Sequence, residues 1–288
     1  MANKHTLRNL VMLWAAWFVI LYGFQWLVIW RLEISRPDYA VFWSAHETQK
    51  LSNQGKDYLL EPFLNRQVAW DSEYYLEIAT SGYDDPHVGR AKDPVTGTNW
   101  PKNYSFFPGY PMLMKLVMIP LRILKLNSIA TAAMAGVIVA FLGTLAGLTA
   151  LWDLTRAYFY EDDTLRAAFY MLIFPSAFFF AQIYTEGLFI GLSFWSLALS
   201  RRKRWFWAGV LAFFATWTRA HGGLLFIPLG IAWLRDNDRR TLPNSLSWKS
   251  ALQGVCAFLP LHGSHSGVIQ TWEQAGLSCN PFILDVGC

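Results

Sequence analysis

Charge is scarce in this chain. Only 15% of its 288 residues are Asp, Glu, Lys or Arg, against about 25% in an ordinary soluble domain. With 54% hydrophobic residues and a mean hydropathy of +0.24, that shortage argues against a fully solvated globular domain. Cysteine is rarer still. Cys256, Cys279 and Cys288 all lie near the C-terminus, so no disulfide framework is suggested and the redox compartment is left open. No GxxxxGK[ST] loop, GxGxxG turn, HExxH pair or doubled CxxC occurs, and nucleotide, dinucleotide and zinc chemistry lose their sequence support. Segments of about 10 residues alternating apolar and polar are missing, which speaks against a membrane β-barrel. No internal repeat is visible, a mild argument against an inverted-repeat transporter.

Aromatic residues are what the chain has in plenty. They make up 17% of it, with 15 Trp, and Trp and Tyr collect where a bilayer meets water. The composition therefore predicts an all-α, polytopic membrane protein. The net charge of +4 is no signature of nucleic-acid binding, because the basic residues cluster at the ends of apolar runs.

Lys4 and Arg8 precede an apolar run over about 9–30. The run is too long for a signal-peptide core and has no small-residue cleavage site, so it reads as a first span with the N-terminus cytoplasmic. Further apolar segments occupy 106–126, 128–152, 167–182, 185–200, 205–219 and 222–234, and a polar stretch rich in Trp, Tyr, Asp, Pro and Asn fills 31–105. Arg201, Arg202, Lys203 and Arg204, with Arg235, Arg239 and Arg240, belong inside by the positive-inside rule, and the polar stretch belongs outside.

Parity then forces a choice. Were every segment to cross, Arg201–Arg204 would face outward. Merging 167–200 into one span gives a helix roughly 50 Å long against a hydrocarbon core of ~30 Å. Treating 106–126 as an interfacial helix suits its Pro108, Pro111 and Pro120 and its Lys115, Arg122 and Lys125 better. About six spans follow, with 153–166 cytoplasmic and 31–105 a large first extracytoplasmic loop. Residues 1–234 form the membrane domain, and 235–288 are expected to be a divergent or shortened tail.

On that topology, polar residues from distant parts of the chain share the outer face. Asp71 opens a helix over about 72–80 closed by Gly82, and it is either the N-cap or a base able to take a proton from a substrate hydroxyl; one carboxylate has acceptor sites for both. Trp70, Tyr74 and Ile78 fall on one face, and Glu73 and Glu77 are expected on the solvated one. Phe106-Phe107-Pro108-Gly109-Tyr110-Pro111 reads first as a rigid turn, and second as an aromatic floor under a lipid-linked substrate. Pro175 is expected to kink or shorten the third span, and Thr185 to cap the helix after it. Glu186 is either an acidic first-turn residue or the partner of a sugar hydroxyl or of Arg219. Arg219, a cation at an outer helix end, is either a snorkelling anchor or the grip on a phosphate, with His221 beside it. Gln182 and Tyr184 lie at the same rim. Leaving such groups in lipid costs ~2.5–3.5 kcal/mol each, which marks them as functional candidates. Asn103-Tyr104-Ser105 is a formal but weak glycosylation sequon.

Taken in order, Trp70-Asp71-Ser72, Tyr75, Ile78-Ala79, Gly82-Tyr83, Phe106-Phe107-Pro108, Tyr110-Pro111, Tyr184-x-Glu186, Leu188-Phe189 and Thr218-Arg219 with Gly222 resemble the PIG-V-type mannosyltransferases of the GT-C glycosyltransferase superfamily. The resemblance covers about 10–234 and is closest in character to a bacterial member at the plasma membrane. It implies a GT-C-like fold and transfer of a hexose, mannose in the family, from a polyprenyl-phosphate donor to an acceptor on the extracytoplasmic face. It implies Asp71 as the catalytic acid/base residue. Arg219, Glu186, His221 and Tyr184 would hold the donor phosphate and sugar, and Trp70, Tyr75, Phe107 and Tyr110 would line the lipid or acceptor. No metal ligands are assigned, and involvement of a divalent ion is left open. The partners implied are membrane lipid and the lipid-linked sugar, with no nucleic acid. The competing readings are a transporter or flippase of a lipid-linked substrate and a catalytically inactive membrane scaffold.

Overall fold

The structure is a computed structural model that describes residues 4–31, 59, 62–68, 70–83, 90–92 and 99–238. It is built from helices: α1 (Lys4–Arg31), α2 (Pro62–Asn65), α3 (Asp71–Thr80), α4 (Gly109–Leu121), α5 (Ser128–Thr155), α6 (Glu161–Ile173), α7 (Glu186–Arg201), α8 (Trp205–Thr218) and α9 (Phe226–Asp238). One small antiparallel hairpin, β1 (Arg90–Lys92) with β2 (Asn99–Pro101), interrupts the polar stretch. The tail after 238, including all three cysteines, lies outside the described residues, as does most of 31–61.

Among the described residues two helices are long and apolar enough to cross a membrane, over His5–Val28 and Ser128–Thr155. Their environments differ. α1 presents Val19, Ile20, Phe24, Trp26 and Leu27 outward and packs by one aromatic edge, with Trp14 and Phe18 against Phe141 of α5. α5 is the central post. Asn127 caps it, accepting from the Ala130 N–H at 2.7 Å, and its 28 residues rise about 42 Å.

Glycine decides how closely α7 lies on α5. A Cβ on Gly187 would come within 2.5 Å of the Ala140 carbonyl oxygen, and one on Gly191 within 2.6 Å of that of Gly143. Gly143 and Gly147 meet Gly187 and Gly191 at helical four-residue spacing, the small-residue contact by which helices approach backbone to backbone. Thr144 Oγ1 tightens the seam by donating to Phe180 O at 2.7 Å. Gly187→Ala is therefore expected to lower the melting temperature in detergent, at a cost on the order of 1–3 kcal/mol. Gly23→Ala, which meets nothing within 4 Å, serves as the neutral control. Equal melting of both variants and wild type would remove the seam from the fold's support.

Several expectations need correction. The segment 167–182 is not one helix. α6 starts at Glu161, inside the stretch assigned to a loop, and ends at Ile173. Phe174 is extended at ψ 139° because a residue before proline is driven out of the helical region, and a 3₁₀ turn over Ala177–Phe180 follows. Likewise 222–234 begins as a 3₁₀ turn, Ala220–Leu225, before α9. The 106–126 segment is helical only over α4, then turns at Arg122–Leu124 with Lys125 in the left-handed region.

Polar contacts sort the helix termini into two ends. At one end, fully buried Asp153 of α5 receives Arg156 at 2.7 Å and Arg202. Arg201 caps the same helix by donating to Leu154 O, Lys203 pairs with Asp236 of α9, and Thr6 of α1 meets Glu161 of α6. The N-terminus and the Arg201–Arg204 cluster thus share one end of the bundle. At the other end, Tyr22 donates to Ala181 O at 2.6 Å, Gln67 to Gln25 at 2.6 Å, and Arg219 pairs with Glu186.

Candidate functional site

The second end carries the site, and α3 organises it. Trp70, not Asp71, is the residue before the helix, at φ 49°, ψ −115° and with no side-chain cap. Asp71 is the first helical residue and is exposed. A positive φ at a non-glycine residue is strained and clusters at functional sites; here it swings the chain so that the Asp71 carboxylate starts α3. The far end closes as expected. Gly82 adopts φ 87° and its N–H donates to Ile78 O at 3.2 Å, the left-handed stop that glycine permits.

Glu73 and Glu77 are not on a solvated face. Both are fully buried, and both engage in polar or electrostatic interactions, as buried carboxylates must. Helical spacing alone could not show this, because the cover comes from afar: α4, α5 and the 3₁₀ turn Lys102–Ser105 enclose α3. Trp70 also departs from the Tyr74–Ile78 face, being exposed while those two are buried.

Aromatic rings stack inward from α3. Tyr74 lies on Phe106 with centroids 4.7 Å apart. Tyr75 meets Phe106 and Tyr110 edge-on, each at 5.2 Å. Tyr110 is wholly buried and donates to Gly136 O at 2.9 Å, so it props Tyr75 from below and presents no face outward. Phe107 is half-buried; its neighbour Phe106 holds the stack, a difference that a diphenylalanine pair conceals in sequence. Asn103, fully buried, donates to Tyr83 O at 2.8 Å, which takes its side chain away from the role the sequon suggested.

Glu186 opens α7 and pairs with Arg219, which stands extended between α8 and the 3₁₀ turn. The turn is tight: a Cβ on Gly222 would fall 2.4 Å from the Thr216 backbone nitrogen, so glycine there lets the chain double back and aim Arg219 at α7. Glu186 Oε2 is buried with no hydrogen-bond partner among the described residues. Thr185 does not cap α7 by its side chain; it stands beside the Tyr75 phenol instead. His221 is exposed on the 3₁₀ turn.

Two phenols join the halves of the site. The Tyr75 phenol is pushed up by burial first, then by the Asp71 charge, with Glu186 adding to the rise while Thr185 and Arg219 oppose it. The Tyr184 phenol is pushed up by burial, then by Asp71 and Glu186, and the Asp71 backbone hydrogen-bonds it. Asp71 and Glu186, distant in sequence, thus act on both hydroxyls, and Arg219, paired with Glu186, acts on that of Tyr75. Both hydroxyls keep their protons through neutral pH and are available as neutral donors. From the described residues the arrangement offers an exposed carboxylate, a guanidinium with part of its fork unused, a buried carboxylate oxygen without a hydrogen-bond partner, and two phenols. Among the described residues no three His, Cys, Asp or Glu side chains come together to hold a metal ion.

The chain is similar to "GPI alpha-1,6-mannosyltransferase 2" of Homo sapiens, 31% identical over 172 residues, which is 58% of this chain and 31% of the relative. The protein of that name from Mus musculus is 28% identical over 169 residues. That of Rattus norvegicus is 29% identical over 203 residues, or 69% of this chain and 37% of the relative. The chain thus spans about a third of the length of these curated relatives. No solved structure matches it. The family model described as Mannosyltransferase (PIG-V) matches residues 15–229, a stretch that contains every residue of the site, and with two helices of membrane-crossing length the chain is a membrane protein belonging to the PIG-V mannosyltransferase family.

Proposed function

We propose that the chain is a GT-C-type glycosyltransferase that moves a mannosyl residue from a polyprenyl-phosphate donor to an acceptor hydroxyl. The reading rests on one observation above all: Asp71 on one side and Glu186 with Arg219 on the other converge on the Tyr75 and Tyr184 phenols. In the reaction, Asp71 takes the acceptor hydroxyl proton as its oxygen bonds the sugar C1. The C1–O bond to phosphate breaks, and Arg219 stabilises the charge left on the lipid phosphate. Glu186 orients Arg219 through one oxygen and accepts from a sugar hydroxyl through the other. Tyr75 and Tyr184 donate to sugar or phosphate oxygens, and His221 stands at the edge of the phosphate position. Trp70 and Phe107 border the lipid or acceptor, and Tyr110 supports them through Tyr75.

The site end faces the extracytoplasmic side in this reading, because the opposite end holds Arg201–Arg204 and the N-terminus. α1, α5, α6 with its 3₁₀ continuation, α7, α8 and α9 are the six crossing segments, in a bacterial cell those of the plasma membrane. Their shorter members, at about 20–24 Å, are completed at the site end by the turns they lead into. α4 stays at the interface. Tyr110 near its start meets α5 at Gly136, about 12 Å along that helix from Ser128, so α4 runs beside only the outer part of its neighbour.

The test is transfer by the purified full chain in lipid nanodiscs, supplied with radiolabelled mannose either on polyprenyl phosphate or on a nucleotide diphosphate. Transfer is expected from the lipid donor alone. Movement of intact lipid-linked sugar across the bilayer without transfer would overturn the reading in favour of a flippase.

A further inference from the structure

Arg66 lies in the turn that links α2 to α3, and the activity proposed above does not use it. Its Nε and Nη2 are both shut off from solvent with no hydrogen-bond partner among the described residues. A guanidinium is always charged and carries five donors. Burying part of it unpaired costs heavily, and a native chain keeps such a group only where something repays the loss. Its position is not a matter of slack backbone. Gln67 N–H donates to Leu64 O at 3.0 Å and Val68 N–H to Asn65 O at 3.2 Å. Asn65 accepts from Leu59 N–H at 2.9 Å, and fully buried Gln67 donates to Gln25. Both neighbours of Arg66 are therefore pinned.

The same contacts place Arg66 at the site end. Phe63 of α2 meets Tyr22 edge-on with centroids 5.4 Å apart, and Tyr22 donates to Ala181 O just before Tyr184. Asp71 is five positions after Arg66, which bounds their Cα separation at about 17 Å. Among the described residues no carboxylate pairs with Arg66, and Glu186 at the same end is held by Arg219. What such a group lacks is an oxyanion with two acceptors side by side, the geometry of phosphate.

We infer that Arg66 is a second phosphate-binding residue, whose guanidinium receives the phosphate oxygens of an isoprenyl-phosphate substrate at the site end. This rests on the proposed function for the class of substrate. It goes further in assigning a residue from the α2–α3 turn, so that the phosphate is gripped from the polar loop as well as from the α8 terminus.

The experiment uses the full chain in nanodiscs with three probes: a short-chain isoprenyl phosphate, the matching isoprenyl alcohol, and inorganic phosphate. In Arg66→Met the dissociation constant for isoprenyl phosphate is expected to rise about 10- to 100-fold, as for the loss of a hydrogen bond to a charged group. Binding of the alcohol should stay as in wild type, and the melting temperature without ligand should hold or rise, since an unpaired charge has been removed. Arg66→Gln, which keeps length and polarity, should lose phosphate binding in the same way. Unchanged isoprenyl-phosphate binding in either folded variant overturns the inference. So does equal weakening of phosphate and alcohol with a fall in melting temperature, which is the mark of a merely structural arginine. Equal affinity of wild type for inorganic and isoprenyl phosphate overturns the lipid-linked assignment. A wild type that binds isoprenyl phosphate through Arg66 yet transfers no mannose sinks the proposed function and leaves this inference standing. A wild type that transfers mannose and is indifferent to Arg66→Met does the reverse.

Discussion

Asp71→Asn is expected to lower the turnover number for mannosyl transfer by about 10²- to 10⁴-fold, the usual worth of a positioned general base, or about 2.7–5.4 kcal/mol of barrier. The substitution keeps the shape of the side chain and removes only its ability to take a proton. It should leave the fold alone, because Asp71 is exposed and the last turn of α3 is closed independently by Gly82. The Asp71 backbone also bonds Tyr184, and that contact survives in the amide. KM for donor and acceptor should therefore move little while kcat collapses. Activity within a factor of two of wild type, in a variant that melts normally, would take the base out of Asp71's hands.

The second large effect is at Arg219. Arg219→Ala should reduce kcat/KM for the lipid-phosphate donor by about 10²- to 10³-fold, as when a preorganised donor to a developing anion is lost. The acceptor KM should be nearly unmoved. Part of any loss would come from the pair itself, since Glu186 is left with both oxygens unpaired in a half-buried position. A double-mutant cycle with Glu186→Gln separates the two contributions. Removing the acid should restore melting temperature to Arg219→Ala without restoring use of the donor. Arg219→Lys should recover only a fraction, because an ammonium lacks the planar fork that matches phosphate. A rise in acceptor KM with donor kinetics intact would place Arg219 on the wrong substrate.

Much of the candidate site was legible because its residues break a local rule. Arg219 is a cation at a helix end facing away from the basic cluster, and Glu186 is an acid at the mouth of an apolar helix. Both stand out against an apolar background in which charge is expensive. The stop at Gly82 was legible for a similar reason, since glycine after a short amphipathic run marks a left-handed close. The start of α3 was not. Nothing in the Trp70-Asp71 pair announces a positive φ at tryptophan, a strain that only surrounding packing can impose.

Burial misled wherever cover came from another part of the chain. Glu73 and Glu77 have the spacing of a wet helix face, yet α4, α5 and the turn at Lys102–Ser105 close over them. Tyr110 reads as an interfacial aromatic and is the most enclosed large side chain in the stack under Tyr75. Arg66 passed unnoticed because an arginine in a polar loop is ordinary, and its unpaired nitrogens are visible only in three dimensions.

Composition and local spacing by themselves determined that the chain is helical, that it is apolar enough for a membrane, and that its acidic and basic site candidates sit at helix ends. These follow from short-range physics: hydropathy of a segment, the 3.6-residue period, the special backbone of glycine and proline. The tertiary structure alone decided which helix ends meet. It put Asp71 and the Glu186–Arg219 pair around two shared phenols, and it pressed α7 onto α5 through glycines whose closeness no single helix could reveal. Convergence of that kind depends on packing between segments from about thirty to more than a hundred residues apart in number, and periodicity within a segment carries no information about its distant partner.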